Sequence, residues 1–227
     1  DGAIVATIFN RPSHGQCEGD VECWASTDGG RLWELRGVPA PHEPDTNRMN
    51  VAAGLAHDGA MIVLASGWGQ KEGSFRDRIV PCWACRSEDD GRTWEHTDTI
   101  QLPDGCDFLI PFGDVVRLAD GALGASFYMQ DDVTKQSNSY LLRSDDGGRA
   151  WGDAVVVGRG DHNETALIRV GDGLMLAAAR TQTDAHLDLF TSEDEGRTWS
   201  LLGPVSTAGQ IPAHLLGLAD GRILLVF

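Results

Sequence analysis

A turn motif repeated four times, Asp-Gly pairs recurring between apolar runs, and no stretch that keeps a helical period together predict an all-β fold: a β-propeller of four-stranded blades. The motif, Ser-x-Asp-x-Gly-Arg-x-Trp, occupies residues 26–33, 87–94, 144–151 and 192–199. The Asp-Gly pairs stand at Asp1-Gly2, Asp58-Gly59, Asp120-Gly121, Asp172-Gly173 and Asp220-Gly221, spaced 57, 62, 52 and 48 residues apart. A tight hairpin turn needs positive φ at its centre, so an apolar run, Asp-Gly and a second apolar run read as two antiparallel strands.

Each unit then resolves into four strands. In the third unit, strand A is expected near 112–119 and strand B near 122–128. A polar loop over 130–138 follows, whose acidic pair Asp131-Asp132 reads as solvent-facing. Strand C is expected near 139–143, then the motif turn, then strand D near 154–157. Within the motif the carboxylates of Asp28, Asp89, Asp146 and Asp194 can accept backbone N–H groups across the turn. Trp33, Trp94, Trp151 and Trp199 each supply a large apolar face. Four copies of one chemistry, one per blade, point to a structural role. So many turns account for 28 glycines in 227 residues, well above an average of about 7%. The chain begins on the Asp-Gly turn and stops one strand past its last recurrence. It is therefore expected to be a single domain over 1–227, incomplete at both ends, within a six-bladed ring of on the order of 330 residues.

Composition narrows the function. With 34 acidic and 18 basic residues, a net charge of -16 argues against the basic face that a nucleic-acid reader normally presents and against docking on anionic lipid. It has no apolar run of about 18 residues to span a membrane. Its five cysteines, Cys17, Cys23, Cys82, Cys85 and Cys106, leave at least one unpaired. Cys82-Trp83-Ala84-Cys85 has CxxC spacing but reads as a strand, which turns the two sulfurs to opposite faces. No second pair or nearby histidine pair completes a zinc site, so buried or edge thiols are expected rather than a metal or redox site.

In a propeller the innermost strand of each blade lines the central channel, and the informative blade is the one that breaks the common pattern. Eight residues before each internal Asp-Gly stand Asn50, Phe112, Glu164 and Pro212; eight after each Asp stand Phe9, Ser66, Tyr128 and Arg180. One blade carries charge at both places: Glu164 and Arg180. In a hairpin turning at Asp172-Gly173 they become cross-strand neighbours at the end away from the turn. Spacing alone leaves a rim-stabilising ion pair and a functional pair both open. Tyr128, at the same level in the neighbouring blade, either lines a sugar pocket or packs the rim. Arg48 and Asn50 begin an inner strand and either contact ligand or serve a turn. His14, in a Gly-rich loop, is compatible with a lyase base. Asn163-Glu164-Thr165 is formally a glycosylation sequon, but a glycan there would block the same site.

The repeated turns resemble the Asp-boxes of sialidases and related BNR-repeat proteins, over the whole chain at the level of the repeat. The segment from Glu164 through Asp172-Gly173 to Arg180 is similar to the sialidase segment that carries a catalytic glutamate and, one hairpin later, an arginine of the carboxylate-binding triad. The resemblance implies exo-α-sialidase-type hydrolysis of a terminal acidic sugar on a glycan or glycoconjugate, with no cofactor. It implies that Arg180 grips the carboxylate through a charge-assisted fork. Glu164 would be the base that activates a tyrosine nucleophile, which the resemblance puts beyond Phe227. The other two triad arginines would lie before Asp1 and beyond Phe227. Arg11-Pro12 resembles the family, making Arg11 a substrate-binding candidate. The acid/base aspartate belongs in 10–20, but Gln16 aligns at its place, leaving Asp20 or Glu18 to serve if the loop is reshaped. The alternatives are a non-catalytic carbohydrate-binding propeller, or a lyase or hydrolase of uronic-acid sugars with a histidine or tyrosine base. The negative charge does not forbid an anionic substrate, because a local arginine cluster can reverse the field in a cleft. A glycan substrate favours an extracellular or periplasmic setting.

Overall fold

The computed structural model describes residues 2–70, 75–130 and 136–227, and every regular element in them is a β-strand. Asp1 and the Asp131-Asp132 pair lie outside the described residues. The first sheet holds β1 (Ile4–Phe9), β2 (Val21–Ser26) and β3 (Glu34–Ala40) in that order. The next blade is β4 (Asn50–Leu55), β5 (Met61–Gly69), β6 (Arg78–Ser87) and β7 (Glu95–Thr97). It is followed by β8 (Ile110–Arg117), β9 (Leu123–Gln130), β10 (Ser137–Ser144) and β11 (Gly152–Gly158). A third four-stranded blade comprises β12 (His162–Gly171), β13 (Leu174–Thr181), β14 (Leu187–Ser192) and β15 (Ser200–Pro204), and β16 (His214–Gly217) pairs with β17 (Ile223–Val226).

This is the propeller order the repeats predict, with the inner strands β4, β8, β12 and β16 following one another across the blades. Two inner strands even pair in parallel, Ala52 with Gly113 through Gly54 with Val115, which fuses two blades into one eight-stranded sheet. Glycine permits that approach: a Cβ on Gly54 would lie 2.3 Å from the Val115 carbonyl oxygen. In the third unit, β8 and β9 lie close to expectation. β8 stops at Arg117 because the Leu118 N–H bonds to the Ala122 carbonyl at 2.9 Å, closing the turn over Asp120-Gly121.

The repeated turns share one hydrogen-bond plan. At the second, Ser87 Oγ donates to Asp89 Oδ1 at 2.9 Å while accepting the Gly91 N–H at 2.9 Å. The same carboxylate oxygen accepts the N–H groups of Arg92 at 3.1 Å and Thr93 at 2.8 Å, and Trp94 Nε1 donates to the Gly91 carbonyl at 2.9 Å. Backbone N–H groups and the Thr93 hydroxyl hold the Asp89 carboxyl down at about 2. At Asp194 the Thr198 hydroxyl leads the same effect, again to about 2. The motif glycine does more than supply positive φ. A Cβ on Gly91 would lie 2.7 Å from Cys23 Sγ, one on Gly148 2.6 Å from Ile62, and one on Gly196 2.2 Å from Leu141. Each of these three turns is thereby pressed against the preceding blade.

The main core lies between the two fused blades, with Ile62, Leu64, Leu123, Phe127, Leu142 and Trp151 packed together. Cys82 belongs to this cluster and Cys85 to a separate one with Val21, Val63 and Ala65, as opposite faces of one strand require. All five thiols are free. Among the described residues no group of three His, Cys, Asp or Glu is placed to hold a metal ion. Nor, among the described residues, is any helix long and apolar enough to cross a membrane.

Candidate active site

At the start of β12 the ladder slips: His162 pairs with Thr181, and pairing resumes only at Thr165 with Ala179. The bulge contains Asn163 and Glu164 and re-aims them, a use to which bulges beside binding sites are put. Buried Asn163 holds it in place. Its Oδ1 accepts the Glu164 N–H at 2.7 Å, its Nδ2 donates to Gln182 Oε1 at 2.8 Å, and its carbonyl accepts the Thr165 hydroxyl at 2.7 Å. With its amide nitrogen so engaged, Asn163 is not presented for glycosylation.

Glu164 meets Arg180 across the hairpin, with Arg180 Nη1 donating to Glu164 Oε2. Arg180 Nε and Nη2 both lie 2.8 Å from Asp184 Oδ1. Burial works against the guanidinium's charge, but the hydrogen bonds to Asp184 and Glu164 outweigh it and raise its pKa further. Three of the five N–H donors of the fork are thus held by protein, and two remain for a ligand.

Both side chains line a cavity of about 620 Å³, together with His14, Asn50, Tyr128, Trp68, Arg76 and Arg78. That size lies within the range of about 300–1,000 Å³ usual for small-molecule sites. Burial, then the nearby Glu164 carboxylate, pushes the Tyr128 phenol well above its usual range against the opposing pull of Arg180 and Arg76. Tyr128 therefore presents a neutral hydroxyl, which can donate a hydrogen bond but is no ready base. A slightly larger cavity of about 700 Å³ runs beside β1 and β4. Its walls are mostly aliphatic and glycine, with Arg36, Asp90 and Asp114 among them but no phenol.

Other expected site residues are placed elsewhere. Arg48 is 1% exposed, lies 3.5 Å over the Trp83 ring, and donates from Nη1 to the Pro81 carbonyl at 2.5 Å. It is a core cation stacked on an aromatic face. Asp20 Oδ1 accepts the His42 N–H at 2.7 Å and faces His42 Nδ1 at 2.6 Å. Glu18 accepts the Asp45 N–H at 2.6 Å. Arg11 donates to Glu22 at 3.1 Å and lies 3.5 Å from Asp20. None of the three lines the cavity that holds Glu164; Asp77 and Asp107 are its other carboxylates. Trp68, Arg76 and Arg78 were not singled out from sequence. The Arg76-Asp77-Arg78 alternation beside a strand was the available signal, but nothing local says which cleft it faces.

Among solved structures, the chain is similar to the Hadza microbial sialidase Hz136, with a TM-score of 0.75 and 20% identity over 99% of this chain and 50% of that one. The NanB sialidase of Streptococcus pneumoniae, as its K499G mutant, gives a TM-score of 0.75 at 13% identity, covering 99% and 54%. The intramolecular trans-sialidase of Ruminococcus gnavus gives 0.71 at 14%, covering 99% and 74%. At these identities the likeness is one of fold, and the chain spans about half the length of the first two. No curated protein matches it in sequence. The model of the BNR repeat-like domain matches residues 2–227, in keeping with the four Asp-box turns, and the chain belongs to that family.

Proposed function

We propose that the Glu164–Arg180 cavity recognises the terminal acidic sugar of a glycan and takes part in its exo-sialidase-type hydrolysis. The supporting observation is the convergence of a bulge-presented carboxylate, an arginine with two N–H donors to spare, and a neutral phenol in one cavity. Arg180 pairs with the sugar carboxylate through its remaining N–H groups. Tyr128 donates to a sugar oxygen. Glu164, already hydrogen-bonded to Arg180, takes the proton of a tyrosine nucleophile supplied from outside residues 1–227. Asp77 and Asp107, as the other carboxylates of the cavity, are the candidates for protonating the leaving group.

Carbohydrate binding without catalysis is the second reading, favoured by the engagement of Asp20 and Glu18 away from the cavity. A fluorogenic sialoside offered to the full-length protein separates the two. Hydrolysis that falls at least about a hundredfold in Glu164→Gln, with sugar affinity retained, supports the enzyme. Affinity with no turnover in the unmodified protein supports the binding module, and turnover unchanged in Glu164→Gln rejects the role given to that residue.

A further inference from the structure

The cavity holds two more arginines than the reading above uses. Arg76 and Arg78 both line it, and no carboxylate among the described residues pairs with either. Arg86, Arg143, Arg169 and Arg180 face acids, whereas Arg31, Arg48 and Arg117, like Arg76, donate to backbone carbonyls; Arg76 and Arg78 are distinguished by lining the cavity that holds Arg180. Both are exposed to solvent at the mouth of a cavity that also carries Asp77, Asp107 and Glu164, so their N–H groups are open to an incoming anion.

Their seats are also built. The Arg76 guanidinium lies 5.4 Å over the Trp68 ring and donates from Nη2 to the His14 carbonyl at 3.1 Å. Arg76 holds a φ of 80°, a conformation that long side chains rarely adopt and that clusters at ligand sites. A Cβ on Gly69 would lie 2.6 Å from Arg78 Nε, and one on Gly15 would lie 3.5 Å from Arg76 Nη2. Glycine at 69 thus leaves the Arg78 guanidinium its space, while the Gly15 distance is an ordinary contact.

Resting on the acidic-sugar reading of this cavity, we infer that Arg76 and Arg78 form a second anion subsite. The favoured substrate is then a sugar carrying two oxyanions, one carboxylate at Arg180 and a second carboxylate or sulfate ester at Arg76 and Arg78. Guanidinium forks suit both groups.

Calorimetry with three glycans tests this in the full-length protein. The probes are 3′-sialyllactose, its 6-O-sulfated form, and α2,8-linked disialyllactose. At least one doubly charged probe is expected to bind about tenfold tighter than 3′-sialyllactose, and which one does so identifies the second oxyanion. Arg76→Ala/Arg78→Ala abolishes that advantage and leaves 3′-sialyllactose affinity unchanged, while the Lys/Lys double variant keeps part of it. Equal affinity for all three probes, or a preference that survives the Ala/Ala variant, overturns the subsite. So does an Ala/Ala loss that is equal on every probe.

Inorganic sulfate, followed by tryptophan fluorescence with Trp68→Phe as the control, separates the two readings. Saturable sulfate binding lost in Ala/Ala but kept in Arg180→Lys, with no affinity for any glycan, retains the subsite and rejects the acidic-sugar reading. Glycan binding through Arg180 with neither a sulfate response nor tighter binding of a doubly charged probe rejects the subsite alone.

Discussion

Replacing Trp151 by alanine removes the side chain that ties an Asp-box turn into the core between two blades. Trp151 is 2% exposed, meets Phe127 edge-on at 6.5 Å between ring centroids, and donates Nε1–H to the Gly148 carbonyl at 3.1 Å. Burial of this kind makes a Trp→Ala change cost about 3–5 kcal/mol, with the aromatic pair contributing about 0.5–1.5 kcal/mol of it. Trp94 fills the same place in the second motif and makes the same Nε1–H bond, to Gly91 at 2.9 Å, but is only half-buried. Less apolar area is removed from water there, so Trp94→Ala is expected to cost about 1–2 kcal/mol. Urea denaturation followed by far-ultraviolet circular dichroism measures both variants against the unmodified protein. Equal losses at the two sites would refute the reasoning, because they would make the turn's own hydrogen bonds, not the packing of the ring between blades, the source of its stability.

Gly148→Ala brings a Cβ to 2.6 Å from Ile62 at a φ of 91°, whereas Gly147→Ala, at a φ of 74°, meets nothing nearer than 3.5 Å. Thermal melts are expected to show a loss of about 1 kcal/mol from backbone strain at Gly147, and about 1–3 kcal/mol more at Gly148. Thr93→Val and Thr198→Val each remove a hydroxyl donor from the motif carboxylate, so the Asp89 and Asp194 pKa values should rise from about 2, as carboxyl carbon NMR titration would show. Because those values are depressed, the stability they carry is complete above the ordinary carboxylate pKa of about 4 and is lost as pH falls through about 2. Burial raises the Cys82 thiol and lifts Cys85 to about 12, while Cys17 and Cys106 are half-exposed. Iodoacetamide at pH 8, read by mass spectrometry, should modify Cys17 and Cys106 on the order of a hundredfold faster than the CxxC pair.

The fold was legible because its signals are local. A carboxylate capping a turn, a glycine at positive φ and an Asp-Gly hairpin each need only a few consecutive residues, and their recurrence reports the blades. The Glu164–Arg180 contact was legible for the same reason, since hairpin register follows from distance to the turn. Register says nothing, however, about where a residue just outside a strand turns. Arg48 precedes β4 by two positions and swings onto Trp83 of β6. The loop acids Glu18 and Asp20 depend on backbone and side-chain donors at Asp45 and His42, more than twenty residues away in sequence. Arg76 and Arg78 reach the cavity only through the stacking of three blades, which no short-range pattern encodes.

The central claim, that Arg180 holds the carboxylate of an acidic sugar in the Glu164 cavity, is tested most directly by calorimetric titration of 3′-sialyllactose into the full-length protein and its Arg180→Lys variant. Lysine keeps the charge beside Glu164 and Asp184 but loses the planar fork. Affinity is expected to fall at least about tenfold, with unchanged circular dichroism and no change in an Arg31→Lys control. Affinity retained in Arg180→Lys would contradict the claim.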